Sequence, residues 1–287
     1  MTPRRAILVV GMHRSGTSAL ARVVNLLGAT LPAQLYPPEP ENPTGYWESA
    51  HIAGLNEWIL QSANATWSDC IGFAPERIAG DALVGVMASL VDAVKQEFGD
   101  AALFVLKDPR LCLLLDFWLP ALANLGIEAT LLLTLRHPVE VAHSLLRRNR
   151  LPPFTAIALW LRYVLTAEFR SRGLPRSIVP YDALLTDWRC VIDQAAFDTN
   201  LIWPNDPGDV DADMQSFLTH DLRHHSATST AIDIVPAPLR AWTEDAYAAL
   251  RDLASHALPE PPMRILDRVR TEFAAWCQAG RTPNPTI

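Results

Sequence analysis

The sequence predicts an α/β fold in which a central, mainly parallel β-sheet is flanked by helices in three layers. A β-rich run, Ile7-Leu8-Val9-Val10, meets a glycine-containing turn at residues 11–16 and gives way to apolar residues at helical spacing. Comparable runs recur at residues 103–106 and 130–135, with a fourth at 177–181. Long helix-period segments separate these runs, and such crossovers are what parallel strands require, because a tight turn cannot join them.

Taken in order, Ala19-Leu20, Val23-Val24 and Leu26-Leu27 mark the first helix. Residues 31–45 carry Pro32, Pro37, Pro38, Pro40 and Pro43. Proline fixes φ and donates no N–H, so an extended surface loop is expected there, serving either a ligand or mere connection. Helical periodicity returns at 52–61, 81–98, 139–148 and 154–169; in the last, Phe154, Ile157, Leu161, Leu165 and Phe169 share one stripe. Residues 203–238 are rich in Asp, Ser, Thr and Pro and read as irregular, before amphipathic helices at 239–253 and 263–276 and a frayed tail at 280–287. One domain is expected over 1–287, with a nucleotide-binding core at 7–185 and the irregular loop and C-terminal helices at 203–287.

The 287 residues are 49% apolar and 19% charged, enough for a large core. A net charge of −7 opposes a general nucleic-acid binder, which needs positive charge to displace counterions from phosphates. Cys70, Cys112, Cys190 and Cys277 are scattered without CxxC or metal-ligand spacing, so free thiols in a reducing cytoplasm are expected. The basic start is followed by an apolar run only over residues 6–10, a core strand and not a signal peptide. The apolar stretch 111–119 is broken by Asp116 and is too short to span a membrane. The base-rate expectation for assembly is a monomer or weak homodimer.

Gly11-Met12-His13-Arg14-Ser15-Gly16-Thr17-Ser18 follows a strand and opens a helix, where backbone N–H groups and the helix dipole favour an anion. The glycine spacing is that of a Walker A loop, but Thr17 stands where that motif needs lysine. The loop's own cation is Arg14, whose guanidinium can donate a fork of hydrogen bonds to a phosphate or to oxygen gaining charge; the Ser15, Thr17 and Ser18 hydroxyls add donors. A strand-to-helix turn that binds nothing is the structural alternative.

The loop at 14–18 resembles the 5′-phosphosulfate loop of the sulfotransferases. Downstream, Leu131-Leu132-Leu133-Thr134-Leu135-Arg136-His137-Pro138, followed by a helix with Ser144, resembles that family's 3′-phosphate segment. Asn42-Pro43-Thr44-Gly45-Tyr46-Trp47-Glu48, Leu106-Lys107-Asp108-Pro109-Arg110 and Tyr181-Asp182-Ala183-Leu184-Leu185 are similar to pieces of bacterial sulfotransferases acting on glycans or glycolipids. The likeness spans about residues 7–185. It implies a P-loop-like fold and the donor 3′-phosphoadenosine-5′-phosphosulfate, with adenosine 3′,5′-bisphosphate as product and no metal required. The donor would lie on Gly11, His13, Arg14, Ser15, Gly16, Thr17, Ser18, Arg136 and Ser144, with Arg223 closing from the late irregular segment. The acceptor would be a hydroxyl of a glycan, glycolipid or small metabolite, reached from the loop at 31–48.

Sulfuryl transfer needs a base for the acceptor hydroxyl and cations for the leaving phosphate. The resemblance points to Glu48 as base, with Arg14 and Lys107 as the cations. Glu48 reads equally as a first-turn acid of the helix beginning near residue 52, and His13, His51 and Asp108 compete as bases. Lys107 and Asp108 read alternatively as a structural ion pair, and Arg147, Arg148 and Arg150 as a solvated helix end. Two other functions remain open: an ATP-dependent phosphotransferase with arginine for the Walker lysine, and a catalytically silent nucleotide-binding protein.

Overall fold

A computed structural model describes residues 3–39, 42, 44–69, 73–218, 235–255 and 259–279. Strands β1 (Arg5–Val10), β2 (Leu103–Lys107), β3 (Glu128–Leu135) and β4 (Arg176–Pro180) form one sheet in the order β2-β1-β3-β4, parallel throughout. The register sets Val9 beside Lys107 and beside Leu132, so β1 is the central strand from which the chain departs to one side and later returns to the other. Such a reversal opens a crevice at the carboxyl ends of the strands.

Residues 6–10 are all fully buried, as expected of a strand covered on both faces. Ala6, Leu8 and Val10 pack on one face with Leu131, Leu133 and Leu135, against α2 (Ala50–Ser62), α3 (Asp81–Phe98), α4 (Leu111–Asn124), α5 (Pro138–Asn149) and α6 (Pro153–Arg170). The helices α10 (Ala237–Ala254) and α11 (Glu260–Ala279) close this layer. Ile7 and Val9 face the other way, onto α1 (Thr17–Leu26), α7 (Tyr181–Thr186), α8 (Trp188–Thr199) and α9 (Asp211–Phe217). The two-sided α/β architecture is therefore the expected one.

Two local expectations are corrected and one helix is added. The run at 111–119 starts α4, which buries Leu111, Cys112, Leu113, Leu114, Leu115, Phe117 and Trp118; a helix apolar on every side has no periodicity to read. Tyr181 opens α7 and does not end a strand, because β4 stops at Pro180. The segment 203–238 contains α9, held by the buried Met214. Among the described residues no helix is long and apolar enough to cross a membrane.

Candidate active site

The loop between β1 and α1 is built by two glycines with different tasks. Gly11, at φ 149°, abuts Thr134 on β3, where a Cβ would collide with the threonine hydroxyl. Gly16, at φ 91°, precedes α1 and lies so close to the Tyr181 ring that any side chain would strike it. Between them Arg14 takes a left-handed φ of 69°, which turns the loop and sends its side chain toward α5.

Arg14 Nε donates to Ser144 Oγ at 2.8 Å, and Arg136 Nη1 donates to the Arg14 carbonyl at 3.1 Å. Arg136 Nε is taken by Glu140 at 2.8 Å, while its guanidinium sits over the Tyr181 ring at 4.9 Å. No carboxylate pairs with Arg14 among the described residues. Burial, with Arg148 and Arg136 close by, lowers its pKa. Two buried polar atoms here, Arg136 Nη2 and Ser15 Oγ, find no hydrogen-bond partner among the described residues. An arginine without a carboxylate partner and orphaned donors beside a helix N-terminus favour an anion.

At the end of β2, Lys107 is buried and its Nζ donates to Ser18 Oγ at 3.1 Å, to the Tyr46 carbonyl at 3.0 Å and to Glu48 Oε1. Glu48 is therefore not a first-turn helix acid: Ser49 caps α2, accepting from Ile52 N at 2.9 Å, and no acidic residue lies in the first turn. Burial raises the Glu48 pKa, opposed by the Lys107 ammonium. A carboxylate so placed is a better proton acceptor than an exposed one.

The competing bases are occupied or poor. Asp108 pairs with Arg110, not Lys107, which removes the Lys107–Asp108 alternative; Arg110 donates from Nε to Oδ1 at 2.9 Å and from Nη2 to Oδ2 at 2.9 Å. Burial would raise the Asp108 pKa, but Arg110, together with Asn56 Nδ2 at 3.1 Å, holds it below the usual value. Asn56 in turn accepts from Trp118 Nε1 at 2.8 Å, so this carboxylate is a strut fixing β2 to α2 and α4. His13 packs 4.6 Å from the Trp67 ring, and burial, aided by Arg110, lowers its pKa to about 3. His51 turns away from the site, its Nδ1 3.4 Å from Glu97 Oε1.

A cavity of about 680 Å³ runs from the loop to the proline-rich segment. His13, Arg14, Gly16, Thr17, Ser18, Glu48, Lys107 and Arg136 all line it, so the structure brings together most of the residues singled out in the sequence. Gly11, Ser15 and Ser144 do not line it. The Gly11 N–H donates to Cys112 Sγ at 3.1 Å instead of facing a ligand, and Ser144 receives Arg14. Arg223 lies outside the described residues.

The proline-rich loop is a wall of this cavity. Tyr36 N donates to the Glu48 carbonyl at 2.7 Å and Ala50 N to the Gln34 carbonyl at 2.8 Å, folding the loop back on the start of α2. Tyr46 OH donates to Glu39, and Arg148 donates to Tyr46 OH and, at 3.3 Å, to Glu39 Oε2. Arg148 is thus part of the site wall and not a solvated helix end. Tyr36, Tyr46 and Trp67 line the cavity; Trp47 packs on Arg22 and Phe217, and Trp58 is exposed.

Sequence reasoning missed Phe217 and Glu57, and named Tyr181 and Arg110 only within family-like motifs; all four line the cavity. Tyr181 and Arg110 carried one legible signal, their place just past strand ends; Phe217 carried none, since α9 was unread. Among the described residues no group of three or more His, Cys, Asp or Glu is placed to hold a metal ion.

No family model matches the chain, and no curated protein does. Among solved structures the chain is similar to the sulfotransferase domain of the olefin synthase of Synechococcus PCC 7002, with 17% identity and a TM-score of 0.48 over 86% of this chain and 95% of that one. It is also similar to the sulfotransferase domain from the curacin biosynthetic pathway, with 15% identity and a TM-score of 0.46 over 96% of this chain and 99% of that one.

Proposed function

We propose that the chain moves a sulfuryl group from 3′-phosphoadenosine-5′-phosphosulfate to a hydroxyl of a glycan, glycolipid or small-molecule acceptor. The observation that carries this reading is that a lysine-paired, mostly buried carboxylate, Glu48, and a carboxylate-free arginine of the loop before α1, Arg14, line one cavity. A nucleotide with anionic groups at both ends of its ribose suits the two guanidiniums, Arg14 and Arg136, and the orphaned Arg136 Nη2.

When bound, the donor supplies an electrophilic sulfuryl group on a phosphate leaving group. Glu48 takes the acceptor's hydroxyl proton as the new O–S bond forms, and Lys107 and Arg14 stabilise the electron pair left on the phosphate oxygen when the old S–O bond breaks. Protonation of Glu48 also frees Lys107 from its partner at the moment when charge develops on that oxygen. Ser18 and the Tyr46 carbonyl keep the ammonium in place meanwhile. Tyr36, Tyr46 and Trp67 give the acceptor side aromatic faces on which sugar rings can stack.

The test is release of adenosine 3′,5′-bisphosphate from the donor, followed chromatographically across a panel of hydroxylated acceptors without added metal. Acceptor-dependent release is expected. Phosphoryl transfer from Mg·ATP to the same panel, with no release of the bisphosphate, would install the phosphotransferase instead.

A further inference from the structure

A second cleft, of about 160 Å³, lies between α4, α6 and α11 and shares no lining residue with the large cavity. Arg162, Arg170 and Arg270 line it together with one carboxylate, Asp116. Arg170 is ion-paired with Asp116, its Nη2 2.9 Å from Oδ2. Arg270 meets Asp267 at 3.3 Å at the rim. Arg162 has no carboxylate partner among the described residues; its Nη2 donates to the Phe73 carbonyl at 3.0 Å.

Two donors are left over. Arg162 Nε and Arg270 Nε are both buried, and neither has a hydrogen-bond partner among the described residues. A buried donor of this kind is unfavourable until something accepts from it. The Arg270 guanidinium is also fixed in orientation, lying 3.9 Å over the face of Phe169. Apart from Thr166, the rest of the lining, including Phe73, Leu113, Leu165, Phe273 and Ala274, is apolar. A compact anion such as phosphate would leave that surface uncovered, and a neutral hydrocarbon would leave the guanidiniums unpaired.

We propose that this cleft binds a small organic monoanion, a carboxylate on a body about one aromatic ring in size. The space matches the roughly 150 Å³ that takes a single benzene ring in an engineered apolar cavity. The carboxylate oxygens would accept from Arg162 and Arg270, and the ring would cover the phenylalanines. The assignment is independent of the chemistry at Glu48.

The test uses benzoate as probe and the arginine side-chain Nε–H signals of the wild-type ¹⁵N-labelled protein as readout. Benzoate should shift the Arg162 and Arg270 signals together, saturating in the millimolar range, while benzyl alcohol at equal concentration leaves them in place. Arg162→Gln should weaken benzoate by about tenfold or more, as expected for losing a charged hydrogen bond. Signals unmoved by benzoate, moved equally by benzyl alcohol, or restored by adenosine 3′,5′-bisphosphate would each overturn the proposal. The wild-type titration decides the matter even if the variant does not fold.

Discussion

Lys107 Nζ and Glu48 Oε1 form a mostly buried ion pair, and the same ammonium donates to Ser18 Oγ at 3.1 Å in the first turn of α1. One lysine at the end of β2 thereby ties the candidate base to the candidate anion loop. The carboxylate comes from the segment before α2 and the hydroxyl from the helix after β1, so three separate parts of the chain meet at one cation. Breaking this meeting point has consequences that differ by residue.

Glu48→Gln keeps the shape and removes the proton acceptor. Turnover should fall by about 10²–10⁴-fold, the usual worth of a positioned base. Affinity for adenosine 3′,5′-bisphosphate should hold or rise, since neutralising Glu48 removes a negative charge and frees Lys107 for the anion. Steady-state rates and calorimetry on the same preparation check both halves.

The pH profile follows from the same pair. Glu48 must be ionised to act, and burial raises its pKa, so kcat/KM should fall on acidification through a limb above the 4.5 of an ordinary glutamate. Lys107 opposes that shift, so Lys107→Met should move the limb further up while lowering the rate. A limb that moves down in Lys107→Met would contradict the pairing.

His13→Gln should leave the acidic limb where it is. With its pKa held at about 3, His13 does not change charge over the working range and makes a weak base. A loss of turnover comparable with that of Glu48→Gln, with the limb abolished, would reassign the base to His13.

Most of the candidate site was legible because parallel strands place ligand-binding residues at their carboxyl ends, and Arg14, Lys107 and Arg136, which line one cavity, all follow or end such strands. Pairing was not legible. Which of Asp108 and Glu48 takes Lys107 depends on how the loop at 31–48 folds back through Tyr36 and Gln34, a contact remote from any periodicity. Arg148 looked like a solvated helix end because nothing in the sequence announces that Tyr46 and Glu39 reach it. The helix α4 was hidden by its own burial, and Phe217 by its place in a polar stretch.

The close contact of Gly16 with Tyr181 makes a stability prediction. Gly16→Ala forces a side chain into a left-handed φ and against the ring, and should destabilise the fold by about 1–3 kcal/mol. Tyr181→Leu in the same chain should recover part of this, giving a coupling of at least about 0.5 kcal/mol in urea unfolding. Strict additivity would mean that the ring is not what Gly16 avoids.

The most direct measurement is the affinity of the wild-type chain for adenosine 3′,5′-bisphosphate, AMP and Mg·ATP by calorimetry, the first two without metal. The expected result is bisphosphate binding at least about tenfold tighter than AMP, a difference of about 1.4 kcal/mol or more for engaging a second phosphate. Tighter binding of Mg·ATP, with no gain from the 3′-phosphate, would contradict the sulfuryl-transfer reading at its root.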